Sequence, residues 1–314
     1  MLVTGSTGLL GATMVEKASH RFAVVAGHRT PGLALPGTGS FVLDLRNPEQ
    51  VEEVVASSRP AVVVHCAAET GVDFCEDHPE AAMEVNVRGT ARLCRAAVGV
   101  RAFLVYVSTD SVFDGRRGGY SEEDQPNPIN AYGRSKWSAE QVVCREMPDH
   151  LIIRTNFFGW NHGPKETLAE WVLGRLQSGN RVPGFQDVVF SPLLVDMLVE
   201  KMLAAIELGL RGRLHLGARD AVTKCEFARL IARTVGLDPA LVDPVSVDVA
   251  GLRAPRPRDT SLDSSRAEKA LNVPMPTVQE GIRRFWELET CGEVARRRTR
   301  LAPSTLQGAC HPSG

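Results

Sequence analysis

No apolar run in the 314-residue chain approaches the roughly 20 residues that a membrane span needs. Residues 1–12 carry a glycine-rich turn where a signal peptide would have a basic start and a continuous apolar stretch, so the expected location is cytoplasmic. A formal net charge of -1 gives no global pull toward nucleic acid or a membrane surface. The basic cluster Arg296-Arg297-Arg298-Thr299-Arg300 is too short to change that, and residues 291–314 are expected to form a disordered tail. Seven cysteines (Cys66, Cys75, Cys94, Cys144, Cys225, Cys291, Cys310) are odd in number, scattered and without a C-x-x-C pair. That excludes a disulfide framework and a zinc site and leaves reduced structural thiols. His65 and Glu69 lack a second His or carboxylate at ligand spacing, so no metal is expected.

What the chain does have is the composition of an ordinary globular protein, 43% hydrophobic and 23% charged, long enough for one large domain and a smaller one. Strand and helix patterns alternate, which argues for the α/β class. Met1-Leu2-Val3-Thr4 reads as a minimal strand, followed by Gly5-Ser6-Thr7-Gly8-Leu9-Leu10-Gly11 and a helix to about Ser19. The G-x-x-G-x-x-G spacing lets the backbone turn tightly, approach a pyrophosphate and aim a helix N-terminus at its charge. Gly5, Thr7, Gly8, Leu9, Leu10 and Gly11 are therefore candidate cofactor contacts. A second strand is expected over residues 22–26, leading to Gly27-His28-Arg29. A cation here can pair with a ribose 2'-phosphate where a carboxylate would accept from a 2'-hydroxyl, so His28 and Arg29 favour NADP over NAD. The alternative for Arg29 is a solvated loop charge. Next, Phe41-Val42-Leu43 leads to Asp44-Leu45, where Asp44 would either accept from an adenine amino group or cap the helix that Pro48 starts. Ala61-Val62-Val63-Val64 suits a parallel strand covered on both faces. The small residues Cys66, Ala67 and Ala68 after it would let a cofactor lie against the backbone. A helix is expected over residues 79–98, with Asn86 either ordering the site or merely buried.

The most telling stretch is residues 103–140. An apolar strand, Phe103-Leu104-Val105-Tyr106-Val107, ends in Ser108-Thr109-Asp110, and after a Pro/Gly/Asn-rich loop a helix opens with Asn130-Ala131-Tyr132-Gly133-Arg134-Ser135-Lys136. Tyr132 and Lys136 stand four apart and share a helical face. Bringing a tyrosine from a pKa of about 10 to roughly 7 takes about 4 kcal/mol of phenolate stabilisation, part of which a nearby ammonium supplies. With the Thr109 hydroxyl on the same oxygen, the group suits protonation of a carbonyl as hydride reaches its carbon. Tyr-x-x-x-Lys alone is common by chance, so its context decides.

Farther on, Leu151-Ile152-Ile153 ends in Arg154-Thr155-Asn156-Phe157-Phe158-Gly159-Trp160, and Asn156 and Trp160 are candidates for contacting a sugar, with core packing the alternative for Trp160 and the preferred role for Phe157. Helices are expected over residues 166–178, 194–208, 224–235 (capped by Thr223), 264–271 and 277–288, and a strand over 213–216 that returns to the nucleotide domain. The proline-rich segment 254–263 holds Arg256 and Arg258, suited either to a diphosphate or to a structural role.

Taken together, Gly5-x-x-Gly8-x-x-Gly11, Cys66-Ala67-Ala68, Ser108-Thr109-Asp110 with Val112-Phe113-Asp114-Gly115, and Asn130 to Lys136 resemble the extended short-chain dehydrogenase/reductases, and within them the dTDP-4-dehydrorhamnose reductase family. The resemblance implies a Rossmann-like doubly wound parallel sheet with a smaller α/β C-terminal substrate domain. On that pattern residues 1–155, with about 186–216 returning, bind the dinucleotide, and 156–290 bind the substrate. It also implies catalytic roles for Thr109, Tyr132 and Lys136, with Lys136 holding the nicotinamide ribose. NADP is the implied cofactor, NAD remaining open, and a nucleotide sugar the implied partner, with a homodimer left open. Ser111 stands where related dehydratases carry an acid, which argues for plain reduction. The reductases usually have Tyr there, so the shape of the sugar pocket next to Ser111 is left open. A cofactor-binding regulatory subunit, like the β subunit of methionine adenosyltransferase, and a nucleotide-sugar epimerase or dehydratase are the alternatives.

Overall fold

Parallel pairing of short β-branched runs organises the molecule, whose computed structural model describes residues 1–30, 38–163 and 165–301. In chain order the first half comprises β1 (Leu2–Thr4), α1 (Leu9–Ala18), β2 (Val25–His28), β3 (Gly39–Val42), α2 (Pro48–Ser58), β4 (Val62–His65), α3 (Val72–Asp77), α4 (Pro79–Met83), α5 (Gly89–Gly99), β5 (Phe103–Thr109), α6 (Ala131–Glu146) and β6 (His150–Thr155). There follow β7 (Phe157–Phe158), α7 (Leu168–Gln177), β8 (Val182–Phe185), β9 (Val189–Phe190), β10 (Leu193–Leu194), α8 (Val195–Glu207), β11 (Gly212–Leu216), β12 (Val222–Thr223), α9 (Lys224–Thr234), β13 (Val242–Val245), α10 (Ser265–Leu271), α11 (Val278–Thr290) and α12 (Glu293–Leu301).

Seven strands form one sheet in the order β11-β6-β5-β4-β1-β2-β3, and every pairing in it is parallel. Helices cover both faces, so all seven residues of β5 are buried and the strand needs no polar alternation. The winding reverses between β1 and β4, and the crevice outside their carboxyl ends is where such sheets take ligands. The later chain builds two-stranded pairings, β8 with β13, β9 with β12 and β7 with β10, packed with α7, α9 and α11. One apolar cluster runs through both parts, from Val3, Val105 and Ile153 in the sheet to Phe227, Ile282 and Phe285 beyond it. The strand expected to return does so: β11 lies at the sheet edge beside β6.

Four local expectations are corrected. The second strand is Val25–His28, not residues 22–26, because the Phe22 amide is held on the Ala18 carbonyl as the chain leaves α1 and Val25 is the residue in register with Leu2. The helix over residues 79–98 is segmented into α4, a π turn (Glu84–Arg88) and α5. Asn47, not Asp44, caps α2, its side chain accepting from the Glu49 and Gln50 amides. Finally, residues from 291 do not begin a disordered tail: α12 packs on the body with Val294 and Arg297 buried. Arg297 donates to Asp196 at 2.7 Å and pairs with Glu16 at 2.9 Å, and Arg298 pairs with Glu170. Residues 302–314, with Cys310, lie outside the described residues. The other six cysteines are free thiols.

Candidate active site

The glycine turn is built by backbone requirements. Gly5 has φ +65°, and a Cβ there would meet the Ala67 backbone at 2.8 Å, so glycine lets β1 exit close against the segment after β4. The Gly5 carbonyl accepts from the Gly8 amide at 3.0 Å. Gly8 precedes α1 without a side-chain cap, leaving the first-turn amides for a ligand. Thr7 and Leu9 are half-buried, whereas Leu10 turns its side chain into the core and leaves only its main chain to the turn. Opposite, Cys66, Ala67 and Ala68 are half-buried, and the Ala67 amide donates to Thr4 Oγ1 at 3.2 Å. The uncapped amides and small facing residues fit a dinucleotide diphosphate.

The other proposed cofactor contacts spread along the sheet. Arg29 is exposed at the end of β2, while His28 is buried with its Nε2 2.8 Å from Ser40 Oγ. Asp44 is already engaged by Arg46, whose side chain grips both carboxylate oxygens and holds the carboxyl below its usual range. Leu45 is buried in the core. His65 sits between Thr4 Oγ1 at 2.7 Å and Thr90 Oγ1 at 3.0 Å, and burial pulls its pKa down to about 3. That is a satisfied core imidazole, and the described residues contain no cluster of metal-ligating groups.

The catalytic candidates meet where β5 and α6 converge. Asn130 caps α6 by accepting from the Gly133 amide at 2.8 Å, and its amide nitrogen donates to Pro255 O at 3.0 Å. A Cβ at Gly133 would lie 2.2 Å from Ser111 O, so this glycine lets the first turn of α6, with Tyr132, press against the loop that follows Thr109. Lys136 is buried, donates to Val107 O at 2.8 Å and lies 4.2 Å above the Tyr106 ring. Burial pulls its ammonium down to about 7, with Glu140 and Cys66 opposing. Glu140 itself accepts from Ser108 Oγ and pairs with Arg154, both members of that pair being fully buried. Asn86, also buried, accepts from the Glu69 amide and donates to Ser135 Oγ, tying the segment after β4 to α6.

One expectation about Tyr132 fails. Burial pushes the phenol upward from its ordinary value, the Thr109 hydroxyl pulls it back, and Asp110 pushes it up again. The ammonium of Lys136 is aimed at the Val107 carbonyl, and burial holds the Tyr132 phenol above its ordinary value.

Asp110 is the residue that sequence reasoning passed over. It is 1% exposed and accepts on Oδ1 from Thr109 and Ser111 and on Oδ2 from Asn156 and Thr260, the last two at 2.8 Å. Its position directly after Thr109 at a strand's carboxyl end was the available signal. Asn156 and Ser111 thus belong to this network. Trp160 does not face it: 7% exposed, it stacks on Phe285 at 4.2 Å and donates to Phe285 O, which places it in the core. Arg256 pairs with Asp73 at 2.9 Å, and Arg258 pairs with Asp187 and Asp248, so both arginines arrive with carboxylate partners. At the start of α9, Lys224 rests its ammonium 3.3 Å from the Phe190 ring centroid and within reach of the Asp110 charge. No helix among the described residues is long and apolar enough to cross a membrane.

Comparison with known proteins shows what the chain is similar to. The profile described as RmlD substrate binding domain matches residues 1–290. The chain is 35% identical over 271 residues to a dTDP-4-dehydrorhamnose reductase of Mycobacterium tuberculosis, covering 84% of each chain. It is 35% identical over 283 residues to the methionine adenosyltransferase 2 subunit beta of Danio rerio, covering 85% of this chain and 84% of that one. Among solved structures, a dTDP-4-dehydrorhamnose reductase from Bacillus anthracis in complex with NADP superposes with a TM-score of 0.81 at 29% identity, over 91% of this chain and 98% of that one.

Proposed function

The chain belongs to the RmlD substrate binding domain family, and from that premise we propose that it is an NADPH-dependent reductase of a 4-keto-6-deoxy sugar nucleotide, most simply dTDP-4-dehydro-6-deoxy-L-mannose. The observation that carries the reading is the convergence of Thr109, Tyr132 and Lys136 at the carboxyl end of β5, beside an uncapped glycine turn. NADPH, when bound, supplies the hydride to C4. The glycine turn and the first amides of α1 hold its diphosphate, Ala67 and Ala68 line it, and Arg29 takes the 2'-phosphate.

Tyr132 gives its proton to O4 as that oxygen gains charge. A phenol that stays neutral in the free protein is the form this step consumes, and Thr109, turning its one hydroxyl proton from Asp110 Oδ1, donates to the same oxygen and shares the developing charge. After transfer the phenolate needs a cation, and Lys136, one turn along α6, would supply it by turning from Val107 O while holding the nicotinamide ribose. Asp110 and Asn156 line the sugar side. Residues up to 155, with β11, form the dinucleotide half, and β8, β13, α7 and α9 the sugar half.

The test is NADPH consumption with a panel of dTDP-4-keto sugars. Turnover by the unaltered protein, reduced by about 10²-fold or more in Tyr132→Phe with NADPH binding intact, is expected. A second reading, a non-catalytic subunit, draws on the likeness to the Danio rerio protein. No turnover on any sugar, together with binding to a methionine adenosyltransferase catalytic subunit, would favour it.

A further inference from the structure

We infer that Lys224 is a substrate-contacting residue whose ammonium grips the glycosyl phosphate, the phosphate bonded directly to the sugar, when a sugar nucleotide enters the cleft. The inference deepens the proposed reductase reading and rests on it.

Three observations place the group. The Lys224 amide donates to Val188 O, the Thr260 amide donates to Val189 O, and Thr260 Oγ1 donates to Asp110 Oδ2. Lys224 and Thr260 therefore hang from adjacent residues, Val188 and Val189, where β9 begins, and Thr260 fastens that strand to the carboxylate beside Thr109. Second, the ammonium is seated on the Phe190 ring and has no hydrogen-bond or ion-pair acceptor among the described residues. Asp110 attracts the ammonium through its charge but accepts no hydrogen bond from it: in the free protein Thr109, Ser111, Asn156 and Thr260 donate to its two oxygens. Three N–H donors on a half-buried cation are thus left for something that enters from solvent. Burial pulls this ammonium down to about 8, with the Asp110 carboxylate opposing.

Third, the cations that composition suggested for a diphosphate are taken. Arg256 is neutralised by Asp73, and Arg258 by Asp187 and Asp248. The cofactor's own diphosphate belongs to the turn after β1, whereas Lys224 stands on α9 of the sugar half. A lysine as the first residue of α9, right after the Thr223 cap, also opposes the helix dipole. A local rule broken at a cleft is what a ligand-binding role leaves behind.

The experiment titrates the full-length protein with dTDP, UDP, dTMP and NADPH by calorimetry, using wild type, Lys224→Gln and Lys224→Arg. Lys224→Gln is expected to weaken dTDP by roughly 10- to 100-fold, the range for a lost charge-assisted hydrogen bond, with Lys224→Arg within about threefold of wild type. Affinity for dTMP, which lacks the second phosphate, and for NADPH should be unchanged, the latter reporting a folded protein. Equal dTDP affinity in wild type and Lys224→Gln would overturn the assignment while leaving the reductase reading intact. An equal loss for dTMP would also overturn it, since the contact would then not be with the glycosyl phosphate. If wild type binds NADPH but neither dTDP nor UDP, the sugar-nucleotide reading itself falls and takes this inference with it.

Discussion

Replacing Gly11 and Gly174 by alanine makes the same chemical change in two helices, with opposite expected signs. Helix propensity favours alanine over glycine by about 0.8–1 kcal/mol in either case. At Gly174, in α7, an added Cβ meets nothing within 4 Å, so Gly174→Ala should stabilise the protein by about 0.5–1 kcal/mol. At Gly11, in the first turn of α1, the Cβ would lie 2.2 Å from Gly5 O, 2.7 Å from Gly5 C and 3.0 Å from Ser6 Cα. All three neighbours are backbone, so no side chain can rotate away, and α1 must retreat from the turn by more than an ångström. That retreat disrupts the turn closed by the Gly8 amide on Gly5 O and costs about 1–3 kcal/mol, more than the propensity gain. The net expectation for Gly11→Ala is a loss of up to about 2 kcal/mol, or a few degrees in Tm. NADPH binding should weaken at least about tenfold, because the displaced amides are those that would face the diphosphate. Thermal denaturation and NADPH titration read both quantities. Gly11→Ala matching Gly174→Ala in stability, with unchanged NADPH affinity, would refute the close-approach argument.

Glu140→Gln leaves the fully buried Arg154 guanidinium uncompensated and should cost about 3–5 kcal/mol in urea denaturation; a loss under about 1 kcal/mol would mean that the pair is not doing what its burial implies. Arg297→Ala should destabilise the protein by about 2–4 kcal/mol and expose α12 to limited proteolysis, whereas a disordered tail would respond to neither measurement. Stability should also rise with pH from about 7 toward 9. In the folded chain Lys136 loses its proton near pH 7 and Lys224 near pH 8, against 10.5 as their ordinary value, so unfolding takes up protons across that window and alkali favours the folded state. Above pH 9 the sign reverses, because burial pushes the Cys66 and Cys94 thiols up to about 12 and the unfolded chain ionises first. Lys136→Met should flatten the rise, and an unchanged slope in that variant would exclude Lys136 as its source.

The sheet was legible because strands buried on both faces must be apolar throughout, and Val62-Val63-Val64, Phe103 to Val107 and Leu151-Ile152-Ile153 are short runs of that kind. The same rule misplaced β2, since Phe22 and Ala23 follow a helix exit and apolar character there reflects packing rather than pairing. Tyr132 and Lys136 could be paired because both lie on one helix, where spacing alone decides which side chains share a face. The charges could not be read that way. Nothing local to residues 296–300 announces Asp196, 101 positions away, as the partner of Arg297.

The cleft follows the same logic with functional consequences. Arg256 and Arg258 looked available for a diphosphate because a sequence lists cations without their counter-ions, and Asp73, Asp187 and Asp248 meet them only in the fold. Lys224 drew no functional expectation because a single lysine at the start of a helix carries no motif. Its distinguishing property is relational: the nearby carboxylate accepts its hydrogen bonds from neutral donors and the aromatic ring beneath cannot accept like an anion, so the cation keeps its donors for a ligand. In a reductive site that property bears on the chemistry too. A Tyr132 phenol held above its ordinary value becomes a useful acid only once the substrate oxygen gains charge, so a substrate must be held close enough for Thr109 and Tyr132 to share one oxygen. A cation at the start of α9, gripping the far end of the same sugar, would set that distance. Lys224→Gln should then lower kcat as well as raise KM for the sugar nucleotide, and a change in KM alone would separate binding from positioning.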